Sequence, residues 1–264
     1  MPTYKLTLEY DGTKFHGWQT QHKLRTVQGE LEEALRTLLR QQLTVHAAGR
    51  TDTGVHALGQ VVSFRSDQEL EAATARRSLN GMLPRDIVVK GLEVAEGNFH
   101  ARYSAIARQY LYVLSRVPVA VGRHLAFYCK FPLDLERLRR ACPPLVGEHD
   151  FRAFCDADTE DPHYLCRVEF AQWEAAGERW MFRIRANRFL RSMVRVIVGT
   201  MIDIGRGRME PEAINEILRG RERRHAGFTA PPLGLYLERV FYETVTTSTS
   251  QQTEITRSMR LEET

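Results

Sequence analysis

The sequence predicts an α+β fold with a mainly antiparallel sheet, and three observations lead to that prediction. Residues 4–10 alternate apolar and polar side chains, which is the period-two pattern of a strand with one buried face. From Val27 to Leu38, apolar residues recur at helical spacing. Strands and helices then follow one another without the regular strand–helix–strand rhythm of a parallel sheet, which favours antiparallel pairing.

In the first half of the chain, the opening strand ends at the turn dipeptide Asp11-Gly12, and a polar loop over residues 13–25 follows it. Thr26 is a plausible N-cap for the first helix, whose acids come early and arginines late, as the helix dipole favours. Further strands are expected over Gln60–Phe64, Ile87–Val94 and Tyr110–Leu114, and a further helix over Arg76–Met82.

The second half repeats this style. Two strands, Val168–Glu174 and Trp180–Ala186, are expected to form a hairpin through Ala176-Gly177. An amphipathic helix is expected from Leu190 to Gly205. The other expected elements are a short helix over Leu135–Cys142, a helix from Pro211 to Gly220 and a closing strand over Tyr236–Val245.

The chain has 264 residues, enough for two modest domains or one large one. We predict an N-terminal half over residues 1–105 and a C-terminal half over residues 106–245. Residues 246–264 are rich in Thr, Ser, Gln and Glu and contain no aromatic residue, so we expect a disordered or loosely attached tail.

Charge is unevenly distributed although the net charge is only +4. From Arg183 to Arg208 there are seven arginines and one acid, Asp203. Clustered arginine beside aromatic residues is typical of a nucleic-acid-binding surface, and a solvated basic face is the competing interpretation.

Cysteine usage argues against a metal site, because the spacing contains neither a C-x-x-C pair nor a neighbouring histidine pair. No secretory segment or apolar run of bilayer length is found. We therefore expect reduced thiols, a cytoplasmic protein, no metal and no contact with a membrane. The four cysteines are Cys129, Cys142, Cys155 and Cys166.

The segment Gly49–Ala57, G-R-T-D-T-G-V-H-A, has the turn chemistry of a tight structural loop. Its triplet Asp52-Thr53-Gly54 also occurs in aspartic proteases, but these pair two carboxylates that share a proton. This chain has a single copy, and basic surroundings would keep Asp52 ionised, which disfavours a protease.

Segments spread in order over residues 3–245 resemble the TruA-type tRNA pseudouridine synthases. The loop around Asp52 resembles their catalytic motif, and such an ordered set is far more specific than any single motif. The other matching segments are LEYDGT at 8–13, GWQ at 17–19, TVQ at 26–28, LNGMLPRDI at 79–87, FHAR at 99–102, YLY at 110–112, FLRSMVR at 189–195 and APPLGLY at 230–236.

This resemblance implies roles for four residues at the reaction centre. Asp52 would be the nucleophile, and Arg195 would hold it in its charged form through an ion pair, because burial disfavours a carboxylate. Tyr110 would stack on the uracil, with its hydroxyl available for proton transfer. Arg50 would help to flip the target base out of its helix.

Other residues would bind substrate. The spacing places Arg188, Arg191 and Arg195 on one face of the expected helix, and we expect the first two to contact RNA phosphates rather than solvent alone. Leu235 would line the pocket. Three residues of the loop expected to clamp RNA, which would otherwise be a plain solvent loop, are Lys14, His16 and Gln19.

Three further residues with tempting chemistry are expected to be structural. His56 and His100 resemble general bases only by residue type. Tyr112 shares the side parity of Tyr110 and is expected to fill the core.

The resemblance also implies architecture, substrate and partners. The family has the pseudouridine synthase fold, in which two α+β halves, each with an antiparallel sheet like that of an RNA-recognition motif flanked by helices, meet across a basic active-site cleft. The expected activity is isomerisation of uridine at tRNA positions 38, 39 and 40 by a homodimer that binds the anticodon arm, with no cofactor and no other protein partner. The alternatives are a non-catalytic RNA-binding protein of this fold and a related synthase that acts on another RNA.

Overall fold

The computed structural model describes residues 1–156 and 163–243, which form an α+β fold around one large, mostly antiparallel sheet. Ten strands take part: β1 Thr3–Tyr10, β2 His46–Ala47, β3 His56–Arg65, β4 Ile87–Val94, β5 Ala105–Ser115, β6 Phe127–Tyr128, β7 Gly147–Asp150, β8 Leu165–Ala176, β9 Arg179–Ala186 and β10 Leu235–Tyr242. Five helices accompany them: α1 Val27–Leu39, α2 Ala72–Met82, α3 Leu135–Arg140, α4 Met193–Gly205 and α5 Ala213–Gly220. The predicted fold class is confirmed.

The sheets of the two halves are continuous. The strand order is β4-β1-β3-β10-β5-β9-β8-β7, with β2 paired to β3 and β6 to β5. The last strand, β10, lies in the middle, antiparallel to β5 and parallel to β3. The parallel pairing is short, Tyr236 with His56 and Leu237 with Ala57. The chain therefore closes by inserting its final described strand between its two halves.

The sheet is buried by alternation. Tyr4, Leu6, Leu8 and Tyr10 of β1 are all nearly inaccessible and join one core cluster that extends through both halves. On the strand β5, Leu111 and Val113 point into a second, smaller cluster, so β5 is buried on both faces.

Several predicted boundaries are confirmed. Thr26 caps α1 by accepting a hydrogen bond from Gly29 N at 3.3 Å. The strand Ile87–Val94 has the predicted bounds. Gly177, with φ +58°, turns the β8–β9 hairpin. The boundary expected after residue 105 falls at the first residue of β5, and the division into two domains stays a prediction.

Other boundaries differ from the prediction. The helix expected from Leu190 begins three residues later, at Met193, because Ser192 has a left-handed backbone (φ +60°) that no α-helix accommodates. The helix expected from Pro211 begins at Ala213. The strand expected to reach Val245 is described to Tyr242, and both its predicted end and the expected tail lie outside the described residues.

Among the described residues, no helix is long and apolar enough to cross a membrane. In the same part of the chain, no group of three or more His, Cys, Asp or Glu side chains could hold a metal ion.

Candidate active site

Asp52 lies in the loop between β2 and β3, and a turn in the loop presents it. Val55 N donates a hydrogen bond to Asp52 O at 3.1 Å, which closes that turn. The side chain of Asp52 is 34% exposed, so a substrate can reach a carboxylate that is otherwise surrounded by protein.

The polar segment after β1 holds this loop from outside through backbone contacts. Trp18 N donates to Thr51 O at 3.0 Å, and Gly54 N donates to Phe15 O at 3.3 Å. Phe15 and Trp18 are both about 2% exposed, so the segment after β1 is itself anchored in the core. Regular backbone bonds therefore fix the loop on both sides of Asp52.

Two glycines allow this close approach. A Cβ at Gly12 would lie 2.0 Å from Val55 O, and one at Gly17 would lie 2.7 Å from Thr51 O. Gly17 also has φ +85°, a conformation that L-residues with a side chain rarely adopt. No side chain fits between the two segments, so their close contact requires glycine at both positions.

Buried polar contacts complete the support of the loop. The hydroxyls of Tyr10 and Thr51 share a hydrogen bond at 2.8 Å, and Gln60 Nε2 donates to Gly49 O at 2.8 Å. These bonds satisfy polar groups that would otherwise be orphaned in the core.

Arg195 and Ser192 both contact one oxygen of Asp52. Arg195 Nη1 lies 3.3 Å from Asp52 Oδ2, and Ser192 Oγ donates to the same oxygen at 3.4 Å. Arg195 is held in turn by Ala230, whose carbonyl accepts from Arg195 Nε at 2.8 Å. Among the described residues, Asp52 Oδ1 has no side-chain hydrogen-bond partner, so this oxygen is free to accept a contact from a substrate.

Ser192 is a site residue that sequence reasoning missed. It precedes α4, and its hydroxyl does not cap that helix. Its position inside the matching segment FLRSMVR, three residues before Arg195, was the available signal. The left-handed backbone that turns its hydroxyl onto Asp52 could not be inferred from spacing.

Arg188 and Arg191 do not share a helix face with Arg195, so that part of the prediction is wrong. Both lie in the segment between β9 and α4, because the helix starts only after Ser192. Arg188 Nη1 donates to His163 O at 2.9 Å. Arg191 is 64% exposed, and its Nε lies 3.6 Å from Asp156 Oδ2. Arg191 therefore presents its charge to solvent close to Ser192.

Tyr110 lies on β5 with its hydroxyl near the Asp52 loop. A Cβ at Gly49 would be 3.9 Å from that hydroxyl. Phe189 packs edge-on against the Tyr110 ring, with centroids 4.9 Å apart. Burial raises the pKa of Tyr110 above its ordinary value, and the nearby Asp52 carboxylate raises it further. The phenol therefore stays protonated at neutral pH.

Leu235 and Tyr112 face each other across the β10–β5 pair. Leu235 is 5% exposed and follows a turn in which Pro232 contacts the Asp52 loop, since a Cβ at Gly54 would be 3.0 Å from Pro232 Cγ. Tyr112 is fully buried, and its hydroxyl donates to Pro231 O at 2.8 Å. Tyr112 thus fills the core, as expected.

Four predicted binding residues are exposed around this loop. Arg50 lies two residues before Asp52, and the other three lie in the segment after β1. Within residues 1–156 and 163–243, none of the four side chains makes a hydrogen bond or an ion pair, so all are available to a ligand. They are Lys14, His16, Gln19 and Arg50.

The two histidines expected to be structural are bonded to the protein. His56 Nδ1 accepts from Gly12 N at 3.1 Å, and its Nε2 bonds Leu233 O at 3.2 Å. Burial lowers the pKa of His56, so its ring is neutral. The ring links the segment after β1 to the turn before β10. His100 Nδ1 accepts from Arg102 N at 3.2 Å. Both arrangements agree with a structural role.

The fold and the site define an α+β protein with a reachable carboxylate that an arginine and a serine hold at one oxygen. The family model described as tRNA pseudouridine synthase matches residues 7–104 and 141–243, and the chain belongs to this family. Asp52, Arg195 and Leu235 lie in the matched segments, whereas Tyr110 lies between them.

Individual relatives match over nearly their whole length. tRNA pseudouridine synthase A of Moorella thermoacetica is 44% identical over 247 residues, which cover 92% of this chain and all of the relative. The enzymes of that name from Bacillus licheniformis and Bacillus subtilis are each 40% identical over 243 residues, covering 90% of this chain and 98% of theirs. A solved structure of a Cbf5-Nop10-Gar1 complex aligns with 75% of this chain and 54% of its own at 11% identity, with a TM-score of 0.29, which is too low to support any conclusion.

Proposed function

We propose that this chain isomerises uridine to pseudouridine in tRNA, with Asp52 as the nucleophile. The observation that carries this proposal is the Asp52 carboxylate, held at Oδ2 by Arg195 and Ser192 and open at Oδ1, in a member of the tRNA pseudouridine synthase family. The substrate positions are 38, 39 and 40 of the anticodon stem-loop, and this finer assignment rests on the resemblance of the sequence motifs.

The arrangement suits a reaction that breaks one bond to the sugar and makes another. In pseudouridine formation the bond from the sugar C1′ to the base N1 breaks, and a bond from C1′ to C5 forms. C5 loses a proton and N1 gains one, so the net reaction is an isomerisation that needs no oxidant, reductant or group donor. We therefore propose an enzyme without a cofactor.

Asp52 can act through Oδ1 by attack on the sugar, by attack on the base ring or by abstraction of a sugar proton. Each route requires an ionised carboxylate with one free oxygen. Arg195 and Ser192 stabilise the negative charge at Oδ2, which orients Oδ1 towards the substrate. The ring of Tyr110 supplies a surface for stacking on the uracil, and its protonated hydroxyl supplies a group for proton transfer.

The exposed residues around the loop bind and open the RNA. A base in a duplex cannot react while stacked, so the target uridine has to leave its helix. Arg50 is exposed two residues before Asp52 and can take the place of the extruded base. Lys14, His16, Gln19, Arg188 and Arg191 contact the RNA around it, and Leu235 lines the uracil pocket.

The functional unit that we propose is a cytoplasmic homodimer in which one anticodon arm contacts both protomers, and this too rests on the resemblance. No observation favours the alternative of a non-catalytic RNA-binding protein.

Replacement of Asp52 by Asn tests the proposed function. Asn has nearly the same shape, so Asp52→Asn should fold normally, but it cannot act as a nucleophile. We expect tRNA binding at least as tight as that of the unchanged protein, because one negative charge leaves a basic site. No pseudouridine should form, even in single-turnover reactions with excess enzyme.

The matched control is Asp67→Asn, which makes the same change at an exposed site away from the loop. Its pseudouridine yield and rate should equal those of the unchanged protein. A rate for Asp52→Asn within about tenfold of the control, which is about 1.4 kcal/mol of barrier, would contradict the role of Asp52.

A further inference from the structure

Three aromatic rings form a tilted stack at the edge of the N-terminal half, with His46 and Tyr103 exposed and His100 half-buried between them. The His46 and His100 centroids are 4.8 Å apart, and the His100 and Tyr103 centroids are 4.4 Å apart. The neighbouring planes are inclined by 32° and 36°. Tyr103 is 77% exposed. We call His46, His100 and Tyr103 the ring stack.

A tight turn between β4 and β5 places Tyr103 over His100. Ser104 N donates to His100 O at 2.9 Å, and Ser104 Oγ accepts from His100 N at 3.0 Å. His100 Nδ1 accepts from the backbone N–H groups of Arg102 and Tyr103 at 3.2 and 3.4 Å. The backbone of the turn is therefore fixed before any ligand arrives. Binding of a ligand on Tyr103 then costs little entropy for ordering the turn.

Arg108 ties this turn to the Asp52 loop. Its Nη2 donates to Ala48 O at 2.9 Å and to Arg102 O at 2.6 Å, so these two carbonyls lie on either side of one nitrogen atom. Its Nη1 donates to Asn187 O at 3.0 Å, directly before Arg188. Arg108 thus links the turn that carries Tyr103 to Ala48, which lies two residues before Arg50.

The surroundings of the ring stack are basic. Arg102 is exposed, and its guanidinium carbon lies 5.7 Å from the Tyr103 centroid. Among the described residues, no carboxylate forms an ion pair with Arg102. A single exposed tyrosine is ordinary on a protein surface. An exposed tyrosine packed on one imidazole that in turn packs on a second, beside an arginine without a carboxylate partner among the described residues, has the composition of a site that stacks an unpaired base and contacts its phosphate.

We propose that the free face of Tyr103 stacks on an unpaired nucleobase of the RNA, next to the target uridine, while Arg102 contacts the phosphate of that nucleotide. The ring stack makes Tyr103 a rigid platform, and the ties through Arg108 fix its place relative to Asp52. This inference rests on the proposed function for the identity of the RNA. It adds a binding site outside the cleft residues named above.

The test compares two substitutions in binding to a synthetic anticodon stem-loop. Tyr103→Ala removes the platform and should weaken binding about tenfold. Tyr103→Phe keeps the ring and should bind within about twofold of the unchanged protein. Tyr128→Ala is the matched control, because Tyr128 is also exposed but lies beside the opposite end of β5. It should bind normally.

A fluorescent 2-aminopurine placed at each loop position in turn reports the stacking directly. One position should be quenched by the unchanged protein and by Tyr103→Phe but not by Tyr103→Ala. At saturating RNA, the single-turnover rate of Tyr103→Ala should stay within about twofold, because the ring stack positions RNA and does not touch the reacting atoms. A duplex without the loop should bind all variants equally.

Normal binding of the loop by Tyr103→Ala would overturn the inference, as would an equal loss in Tyr103→Phe, which would indicate a hydroxyl contact instead of stacking. Pseudouridine formation by the unchanged protein is measured separately. If no pseudouridine forms while Tyr103-dependent quenching persists, the proposed function is wrong and the inferred stacking on Tyr103 is supported. If pseudouridine forms and no variant alters binding, the platform alone fails.

Discussion

At the scale of single residues, the reactivity of the site depends on how one carboxylate is held. Both donors, Ser192 and Arg195, contact Oδ2 of Asp52, and neither contacts Oδ1. Both contacts are long for hydrogen bonds to a charged group, at 3.4 and 3.3 Å. In the mechanism that we propose, this asymmetry leaves Oδ1 as the oxygen that reacts with the substrate.

Substitutions of Ser192 separate its hydroxyl from its backbone. Ser192→Ala removes the donor and leaves a side chain in the left-handed conformation, whereas Ser192→Gly removes the donor and relieves that conformation. A hydrogen bond to a charged group contributes about 1.5–3 kcal/mol, so both variants should lose at least about tenfold in single-turnover rate, with tRNA affinity within about twofold. Rapid-quench measurement of pseudouridine checks this.

Ser192→Asn is the companion variant, because Asn tolerates the left-handed region and can donate a hydrogen bond. It should recover part of the lost rate. If Ser192→Gly were as fast as the unchanged protein, the hydroxyl would have no positioning role and only the backbone conformation would matter.

The two functions that we propose for Tyr110, stacking and proton transfer, can be tested separately. Tyr110→Phe keeps the buried ring that packs on Phe189 and loses the hydroxyl. If the hydroxyl moves a proton, the variant should bind tRNA normally and turn over at least about 100-fold more slowly. Binding and single-turnover assays on the same preparation would distinguish the functions, and an unchanged rate would leave Tyr110 as a stacking surface only.

At the scale of elements, the site is a loop held by a second loop. Neither the Asp52 loop nor the segment after β1 has regular secondary structure over most of its length, yet the backbone bonds between them replace it. Such bonds require the backbones of the two segments to lie in contact, which only glycine permits at positions 12 and 17.

Gly17→Ala should therefore affect both stability and activity. The added Cβ would meet Thr51 O at 2.7 Å in a backbone conformation unfavourable to alanine, so we expect a loss of about 2 kcal/mol or more in the free energy of unfolding. The shift of Thr51 also moves Asp52, and the single-turnover rate should fall. Urea unfolding and the rate assay measure the two effects.

Gly81→Ala is the matched control, because Gly81 lies in α2 and nothing lies within 4 Å of its added Cβ. This variant should gain up to about 1 kcal/mol and keep its activity. Equal stability of the two variants would show that the contact between the loops is not tight.

At the scale of the whole molecule, the distribution of charge decides how RNA is bound. The net charge of +4 is small, so attraction has to come from arginines concentrated near the site. Arg50 and Arg191 are both exposed beside the Asp52 and Ser192 segments, and the correction to the start of α4 leaves this clustering intact.

Binding of tRNA should weaken steeply and log-linearly with salt, because phosphate contacts release counterions. Arg191→Gln should reduce the slope by about one unit without abolishing turnover. Arg36→Gln, on the exposed side of α1 and paired with Glu33, is the control and should leave the slope unchanged. A flat salt response of the unchanged protein would mean that phosphate contacts do not lead recognition.

Local pattern was enough to predict most elements. The alternation in residues 4–10 and the spacing from Val27 report burial on one face, and burial repeats with the period of the element itself. The cap at Thr26 and the turn at Gly177 depend only on near neighbours in sequence. Ser192 escaped prediction because neither its left-handed backbone nor the contact of its hydroxyl with Asp52, 140 positions away, leaves a trace in the local pattern.

By itself, the sequence determined the α+β class and the motifs that identify Asp52, Arg195 and Tyr110 as candidates. Tertiary structure alone decided that β10 joins β3 to β5 in the middle of the sheet and that Ser192 and Arg195 share one oxygen of Asp52. The physical reason is that periodicity records which face of an element is buried. The partner of that face depends on residues far away in the sequence, as do the contacts of Asp52 with Ser192 and Arg195, which are 140 and 143 positions away.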